Sequence, residues 1–353
     1  MGAPELTSSR PVQRVAARRG RFRRLSLGGQ WKFCQVGAHR GQPATVPGSV
    51  HADLLSLGAI EDPFFRENEK DLQWIGEADW RYWRDFRVTA SLLESDRVLL
   101  RCHGLDTLAT VRINGKLVAR TDNMHRTWEF DVRRKLAVGK NRIEVGFASA
   151  AREVRKRQKA DRLPGWFQMQ CLEGASWLRK EPCNFGWDWG PGLVTCGIWR
   201  EIELVAFDTA RLADVQIQQD HSRAGEVAVE VRLRTDRTET AKRSKLTAVV
   251  TLLDGEEAVA GGRLQLRRDA GSTTLRVQAP KLWWPNGMGE QPLYTLGVEL
   301  CDEAGEVIDT WTRRIGLRTL ELLRQPDAWG ESFGFAVNGI PFFAKGANWI
   351  PAD

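Results

Sequence analysis

Residues 109–118 read Ala109-Thr110-Val111-Arg112-Ile113-Asn114-Gly115-Lys116-Leu117-Val118. Apolar residues recur at every second position up to Ile113, the period of a strand with one buried face. Asn114-Gly115 then interrupts. This dipeptide accepts the positive φ angles of a type I′ turn, so the chain is predicted to fold back as a hairpin. The same alternation appears on either side, at 97–103 and 141–147, which predicts a mainly β domain. One helix is expected near 151–162 and a second, short one at 51–57. A second all-β block starts near Arg211, with strands predicted at 227–233, 246–253, 263–266 and 274–277, the spacing of a small sandwich. Asp254-Gly255 and Ala304-Gly305 supply turns there, and the polar stretch 235–243 reads as a loop. Residues 335–346 read as a strand, an Asn338-Gly339 turn and a second apolar strand.

Composition bounds the function. A chain of 353 residues has room for two or three domains. With 42% hydrophobic and 27% charged residues it is neither disordered nor fibrous. No apolar run reaches the ~18 residues of a membrane-spanning helix. Residues 1–24 contain no apolar h-region, so no secretory signal is read there and a cytoplasmic location is expected. The net charge of +7 is concentrated in that segment, which holds seven arginines against Glu5. The other 329 residues carry 45 basic and 44 acidic side chains, a near-neutral balance that points away from nucleic acid. Residues 1–24 are expected to be an Arg-rich disordered tail; a nucleic-acid arm or a targeting segment is the competing reading. The basic run 152–159 reads as the solvated face of a helix rather than a phosphate site. Six cysteines (34, 102, 171, 183, 196 and 301) show no metal-like spacing. No cofactor and no metal are expected. A local disulfide among Cys171, Cys183 and Cys196 stays open.

Fifteen tryptophans against two tyrosines is an unusual preference. Indoles fill sandwich cores, and they also stack on the C–H faces of sugars while the N–H meets a hydroxyl. In Phe185-Gly186-Trp187-Asp188-Trp189-Gly190-Pro191-Gly192, glycines and proline mark an irregular loop, not a strand. An acid between two tryptophans on such a loop can stack on a sugar and accept its hydroxyl hydrogens; a structural aromatic turn is the alternative.

Trp177-Leu178-Arg179-Lys180, Asn184-Phe185-Gly186-Trp187-Asp188-Trp189-Gly190-Pro191 and Gly197-Ile198-Trp199-Arg200 resemble the signature block of the β-mannosidases of glycoside hydrolase family 2. The resemblance runs from Leu25 onward. It takes in Val46-Pro47-Gly48-Ser49-Val50-His51, Asp62-Pro63-Phe64, Leu72-Gln73-Trp74-Ile75, Gly104-Leu105-Asp106-Thr107 and Asp122-Asn123-Met124. Further along come Trp283-Trp284-Pro285-Asn286-Gly287, Gln291-Pro292-Leu293-Tyr294, Val337-Asn338-Gly339 and the segment 345–353.

The resemblance implies a jelly-roll sugar-binding domain at 25–207, an immunoglobulin-like β-sandwich at 208–318 and the start of a catalytic TIM barrel at 319–353. It implies removal of terminal, non-reducing β-mannosyl residues with retention, from β-mannosides or manno-oligosaccharides. By motif position, sugar contact falls on Trp187, Asp188 and Trp189. Arg179 is a weaker candidate for orienting Asp188 or a hydroxyl, and Asn348, Trp349 and Asp353 are assigned to the barrel's active face. Retaining hydrolysis needs two carboxylates about 5–5.5 Å apart. The family carries both as glutamates on later barrel strands, so no catalytic residue is expected within these 353 residues, and they are expected to be inactive alone. Asn68-Glu69 imitates the family's acid/base pair but lies in the polar run 66–71, and it is assigned no catalytic role. Asp188 and Glu173 are not assigned as a catalytic pair. A free-standing, non-catalytic carbohydrate-binding module is the alternative function.

Overall fold

The computed structural model describes residues 22–163, 172–187, 190–266 and 268–349. Two compact units account for most of these residues, one built on Arg23–Phe207 and the other on Asp208–Gly346. The chain is mainly β, as the alternating pattern predicts.

The first unit holds ten strands: β1 (Arg23–Ser26), β2 (Gly29–Gln35), β3 (Gln42–Val46), β4 (Trp80–Val88), β5 (Arg97–Cys102), β6 (Ala109–Ile113), β7 (Lys116–Thr121), β8 (Trp128–Asp131), β9 (Gly139–Phe147) and β10 (Ile202–Phe207). They form two antiparallel sheets, ordered β3-β2-β4-β9-β6-β7 and β1-β10-β5-β8. Alternate residues of both enter one core: Val111 and Ile113, Ile143, Val145 and Phe147 from the larger sheet meet Val98, Leu100, Ile202 and Leu204 from the smaller. Side chains two apart share a face, so the period-2 pattern and the sandwich are one fact seen twice. Asn114 and Gly115 adopt φ of 51° and 76°, and close the predicted hairpin between β6 and β7. Tryptophan is not the main filling. Among the described tryptophans only Trp31 and Trp80 are buried, and Phe, Leu, Ile and Val make up most of the core.

The second unit pairs a sheet β11 (Ala210–Asp220), β12 (Glu226–Arg237), β15 (Ala270–Gln278) with a sheet β14 (Glu257–Leu266), β13 (Leu246–Asp254), β16 (Tyr294–Cys301), β17 (Val307–Ile315). Val227, Val229, Val231 and Leu233 of β12 share a core with Ala248, Val250, Leu296 and Val298. The stretch 235–243, read as a loop, is in part strand. Residues 235–237 continue β12 against β11, and Glu239–Ala241 forms a short 3-10 turn. The polar pattern misled because the Arg237 guanidinium is spent on backbone carbonyls: it donates to the carbonyls of Ser244 (2.5 Å) and Leu266 (2.9 Å). Thr235 is buried.

After β17 come β18 (Leu320–Leu323), a two-stranded ribbon of β19 (Pro326–Asp327) and β20 (Gly330–Glu331), then β21 (Gly334–Val337) and β22 (Ile340–Phe342). The β21–β22 hairpin turns on Asn338 and Gly339 at φ of 50° and 76°, as read. The Asn338 side chain also ties the hairpin down, accepting from the Thr319 amide (3.0 Å) and donating to the Trp283 carbonyl (3.1 Å). The sheet β18-β21-β22 is antiparallel, and no barrel is formed among the described residues.

Both expected helices are present, as Val50–Ser56 and Ala150–Ala160. Ser149 caps the second, its hydroxyl accepting from the Arg152 amide at 3.0 Å. Arg152, Arg155 and Arg157 of that helix pair with Asp79, Glu77 and Glu153, so three of the five cations in the basic run already have acid partners. Cys34, Cys102, Cys183, Cys196 and Cys301 are free thiols; Cys171 and residues 1–21 of the expected tail lie outside the described residues, whereas Arg23 and Arg24, also placed in that tail, are strand residues of β1 paired with β10. Among the described residues no helix is long and apolar enough to cross a membrane, and no His/Cys/Asp/Glu group is arranged to hold a metal.

Candidate functional site: the Trp187 loop and its buried footing

The loop that carries the aromatic motif is rooted in a small apolar cluster. Phe185, fully buried at the end of the 3-10 turn Pro182–Phe185, packs with Leu178, Val194, Ala175 and Leu172 against Ala150, Ala151 and Val154 of the capped helix. Gly186 follows with φ of 92°, releasing the chain from the turn. Trp187 comes next and is half-buried, and it exchanges backbone hydrogen bonds with Gly190, 3.1 Å and 3.4 Å. Two residues later the loop is tethered again. The Gly192 amide donates to the Glu69 carboxylate at 2.7 Å, and Gln73 donates to the Gly192 carbonyl at 2.6 Å.

Glu69, read as a catalytic look-alike with no catalytic role, has a structural one: it fixes the downstream side of the Trp187 loop. Glu69→Ala is expected to speed hydrogen exchange at the Gly192 amide by about tenfold, the loss of one charge-assisted bond, while the melting temperature hardly moves. Amide exchange followed by NMR or mass spectrometry reads both sides of the loop at once.

Beneath this loop the motifs of the first unit converge on a buried ion pair. Lys180 Nζ lies 2.7 and 2.6 Å from the two carboxylate oxygens of Asp106, and both residues are almost wholly buried. Nζ also donates to the carbonyl and the hydroxyl of Thr195, each at 3.0 Å. The Thr195 hydroxyl lies 2.7 Å from Asp106 Oδ2, and the Thr107 hydroxyl donates to Oδ1. Buried charges persist only when paired and hydrogen-bonded in this way.

Close backbone approaches explain two of the motif glycines. A Cβ on Gly197 would stand 2.5 Å from the Gly48 carbonyl, and one on Gly104 2.4 Å from Trp199 Nε1. Trp199 Nε1 donates to the Met124 carbonyl (3.0 Å), and Met124 N–H donates to the Arg179 carbonyl (3.0 Å). Thus the motifs around 48, 104, 124, 179 and 197 touch one another.

His51, on the same motif as Gly48, is buried, and its Nδ1 finds no hydrogen-bond partner among the described residues. Burial lowers its pKa from 6.5 to about 4, with the Lys180 charge adding to the effect and Asp106 opposing it. The ring is therefore neutral near pH 7. Two residues on, Asp53 accepts from the Thr45 amide (2.9 Å) and the Tyr82 hydroxyl (2.8 Å), yet burial still raises its carboxyl above the usual value.

The predicted site residues divide. Trp187 sits on the anchored loop; Asp188 and Trp189 lie outside the described residues. Arg179 is exposed and contributes its backbone, through the Met124 bond, while its guanidinium makes no hydrogen bond or ion pair among the described residues. Asn348 and Trp349 lie on an exposed irregular segment after β22, with Trp349 at 85% exposure and no hydrogen bond or ring contact to either among the described residues. Asp353 is outside the described residues. Glu173 is exposed and held by Arg162 at 3.0 Å. Asp106 and Lys180 were in view as motif letters, but nothing in their spacing of 74 residues announced a pair.

Comparison with known proteins gives this geometry a family. The description "Glycosyl hydrolase 2 galactose-binding domain-like" matches residues 31–200, and "Glycosyl hydrolases family 2" matches 210–318. A β-mannosidase B of Emericella nidulans is 33% identical over 346 residues, 95% of this chain and 40% of that protein. The crystal structure of a β-D-mannosidase from Dictyoglomus thermophilum superposes with a TM-score of 0.85 at 38% identity, over 94% of this chain and 40% of that one. An exo-chitosanase of Amycolatopsis orientalis, TM-score 0.67 at 18% identity over 93% of this chain and 37% of that one, shares the fold alone. The chain thus spans about 40% of the length of such relatives. Two family 2 domains in succession, followed across nearly the whole chain by a third or more of identical residues, carry the assignment: the chain belongs to glycoside hydrolase family 2, where it is similar to the N-terminal portion of the β-mannosidases.

Proposed function

We propose that this chain is the sugar-contacting, accessory part of a β-mannosidase that removes terminal, non-reducing β-D-mannosyl residues with retention. The observation that carries the reading is the Trp187 loop, an irregular segment pinned at Phe185 and Gly192 and presenting a half-buried indole, in a chain similar to β-mannosidases. Pinning matters because a sugar platform that is already ordered loses little entropy on binding. In this proposal Trp187, Asp188 and Trp189 contact the mannose. Residues 25–207 form the jelly-roll domain, 208–318 the immunoglobulin-like sandwich, and 319–353 lead into a barrel bearing both catalytic glutamates, with Asn348 and Trp349 at its mouth. The two packed antiparallel sheets in each unit, and relatives more than twice as long, support that division. The 353-residue polypeptide is then expected to bind but not to hydrolyse.

The test is paired. Calorimetry with β-1,4-manno-oligosaccharides should show binding that Trp187→Ala weakens by about tenfold, the order of one lost aromatic stacking contact. An aryl β-mannoside should stay intact with the pure chain. Hydrolysis by it would place a carboxylate pair inside these residues and overturn the division of labour. Absence of heat at millimolar sugar would remove the sugar-contacting role.

A further inference from the structure

We infer that the Lys180–Asp106–Thr195 cluster is a positioning device for the Trp187 loop, and that these three side chains set where the indole stands. The inference rests on the proposed sugar-contacting role of that loop. Lys180 precedes Trp187 by seven residues and Thr195 follows it by eight, so the cluster grips both stems. Among the described residues no backbone hydrogen bond joins residues 178–186 to residues 192–197. The stems are instead joined through side chains. Lys180 Nζ reaches the Thr195 carbonyl and hydroxyl, and the Thr195 hydroxyl lies 3.3 Å from Asn184 Oδ1 in the turn just before Phe185.

Both stems are then referred to one fixed point. Asp106 receives Lys180 and Thr195 on its carboxylate, while its own amide and carbonyl exchange hydrogen bonds with Gly197 at 2.9 and 3.0 Å. An ammonium has three donors in a definite geometry, and the two Asp106 oxygens with Thr195 use them. Apolar side chains of the same volume would fill this space and keep the fold, since buried ion pairs often add no net stability over packed hydrophobes. They would not fix the direction in which the two stems leave the core. Directional bonds at both stems hold the loop so that its indole, on the proposed function, meets a sugar face.

The experiment separates positioning from stability in the 353-residue chain. Wild type, Lys180→Met, the double variant Lys180→Met/Asp106→Leu, and Thr195→Val are compared by melting temperature and by amide exchange at Trp187, Gly190 and Gly192. The double variant is expected to recover most of the melting temperature lost by Lys180→Met, yet to exchange at these three amides about tenfold faster than wild type. Thr195→Val, which removes only a hydroxyl, is expected to show the same local effect with little change in melting. If loop protection returns together with the melting temperature in the double variant, the pair is only a stabilising contact and the inference falls. Should the double variant not fold, unchanged exchange in Thr195→Val alone overturns it. Calorimetry on Thr195→Val keeps the two readings apart: faster exchange with unaltered manno-oligosaccharide affinity upholds the positioning role and removes the sugar contact.

Discussion

Lys180→Met is expected to lower the unfolding free energy of the first unit by about 3–5 kcal/mol, the cost of leaving a buried carboxylate without its cation. In a unit of this size that corresponds to a fall of about 10 °C in melting temperature. The Asp106 carboxylate would keep the Thr107 and Thr195 hydroxyls, so the charge is not wholly orphaned and the lower half of the range is favoured. Neutralising the partner as well should return most of the loss, because the methionine and leucine side chains occupy the vacated volume. Urea denaturation with an unchanged slope would show that stability, not the compactness of either state, had altered. A loss under 1 kcal/mol for the single variant would contradict the burial and the four contacts seen at Nζ.

Acid should destabilise the same unit through His51. The folded-state pKa of about 4 lies below the ordinary 6.5 because burial penalises the imidazolium and Lys180 repels it. The unfolded chain therefore takes up a proton near pH 6.5, whereas the folded chain refuses it until about pH 4. Stability is complete above pH 6.5 and falls through that window, by about 3 kcal/mol in all. Asp53 works in the opposite sense, since its raised folded pKa means the native state holds a proton more readily than the unfolded chain. Surface carboxylates such as Asp85, lowered by Arg142, act at lower pH still. Denaturation curves from pH 7.5 to 4 should show the slope in wild type and lose most of it in His51→Leu. A slope that persists in that variant would assign acid sensitivity to another group.

The strands around Asn114-Gly115 were legible because an alternating pattern leaves one face to bury, and only a pairing that buries it is stable. The same pattern concealed Thr235–Arg237. There a polar run is strand because Arg237 satisfies carbonyls and Thr235 is covered, facts set by neighbours distant in sequence. Tryptophan content was legible as a number and misleading as to place. An indole carries an N–H that must be satisfied, which suits half-buried rims such as Trp199 and Trp177, whose N–H groups meet the Met124 carbonyl and Gln158.

The aromatic loop was legible as a loop, from its glycines and proline; the sugar contact proposed for it comes from its likeness to β-mannosidases. Arg179 was weighed for a role and Lys180 was not, although it is Lys180 that turns inward. Adjacent residues on an irregular segment carry no periodicity, so no pattern says which of two cations is buried. Glu69 was assigned no catalytic role, and its bond to Gly192, 123 residues away, is invisible to local reading.

The sequence by itself determined the mainly β class, the hairpin turns, two of the five α-helices among the described residues and the family, because these depend on side-chain period, on backbone conformations few residues tolerate, and on ordered motifs. Only the tertiary structure decided that the motifs at 48, 104, 124, 179 and 197 share one footing, and that Lys180, Asp106 and Thr195 are its centre. The reason is physical. Local conformation is a property of neighbours along the chain, whereas a buried charge finds its partner wherever folding removes the water between them.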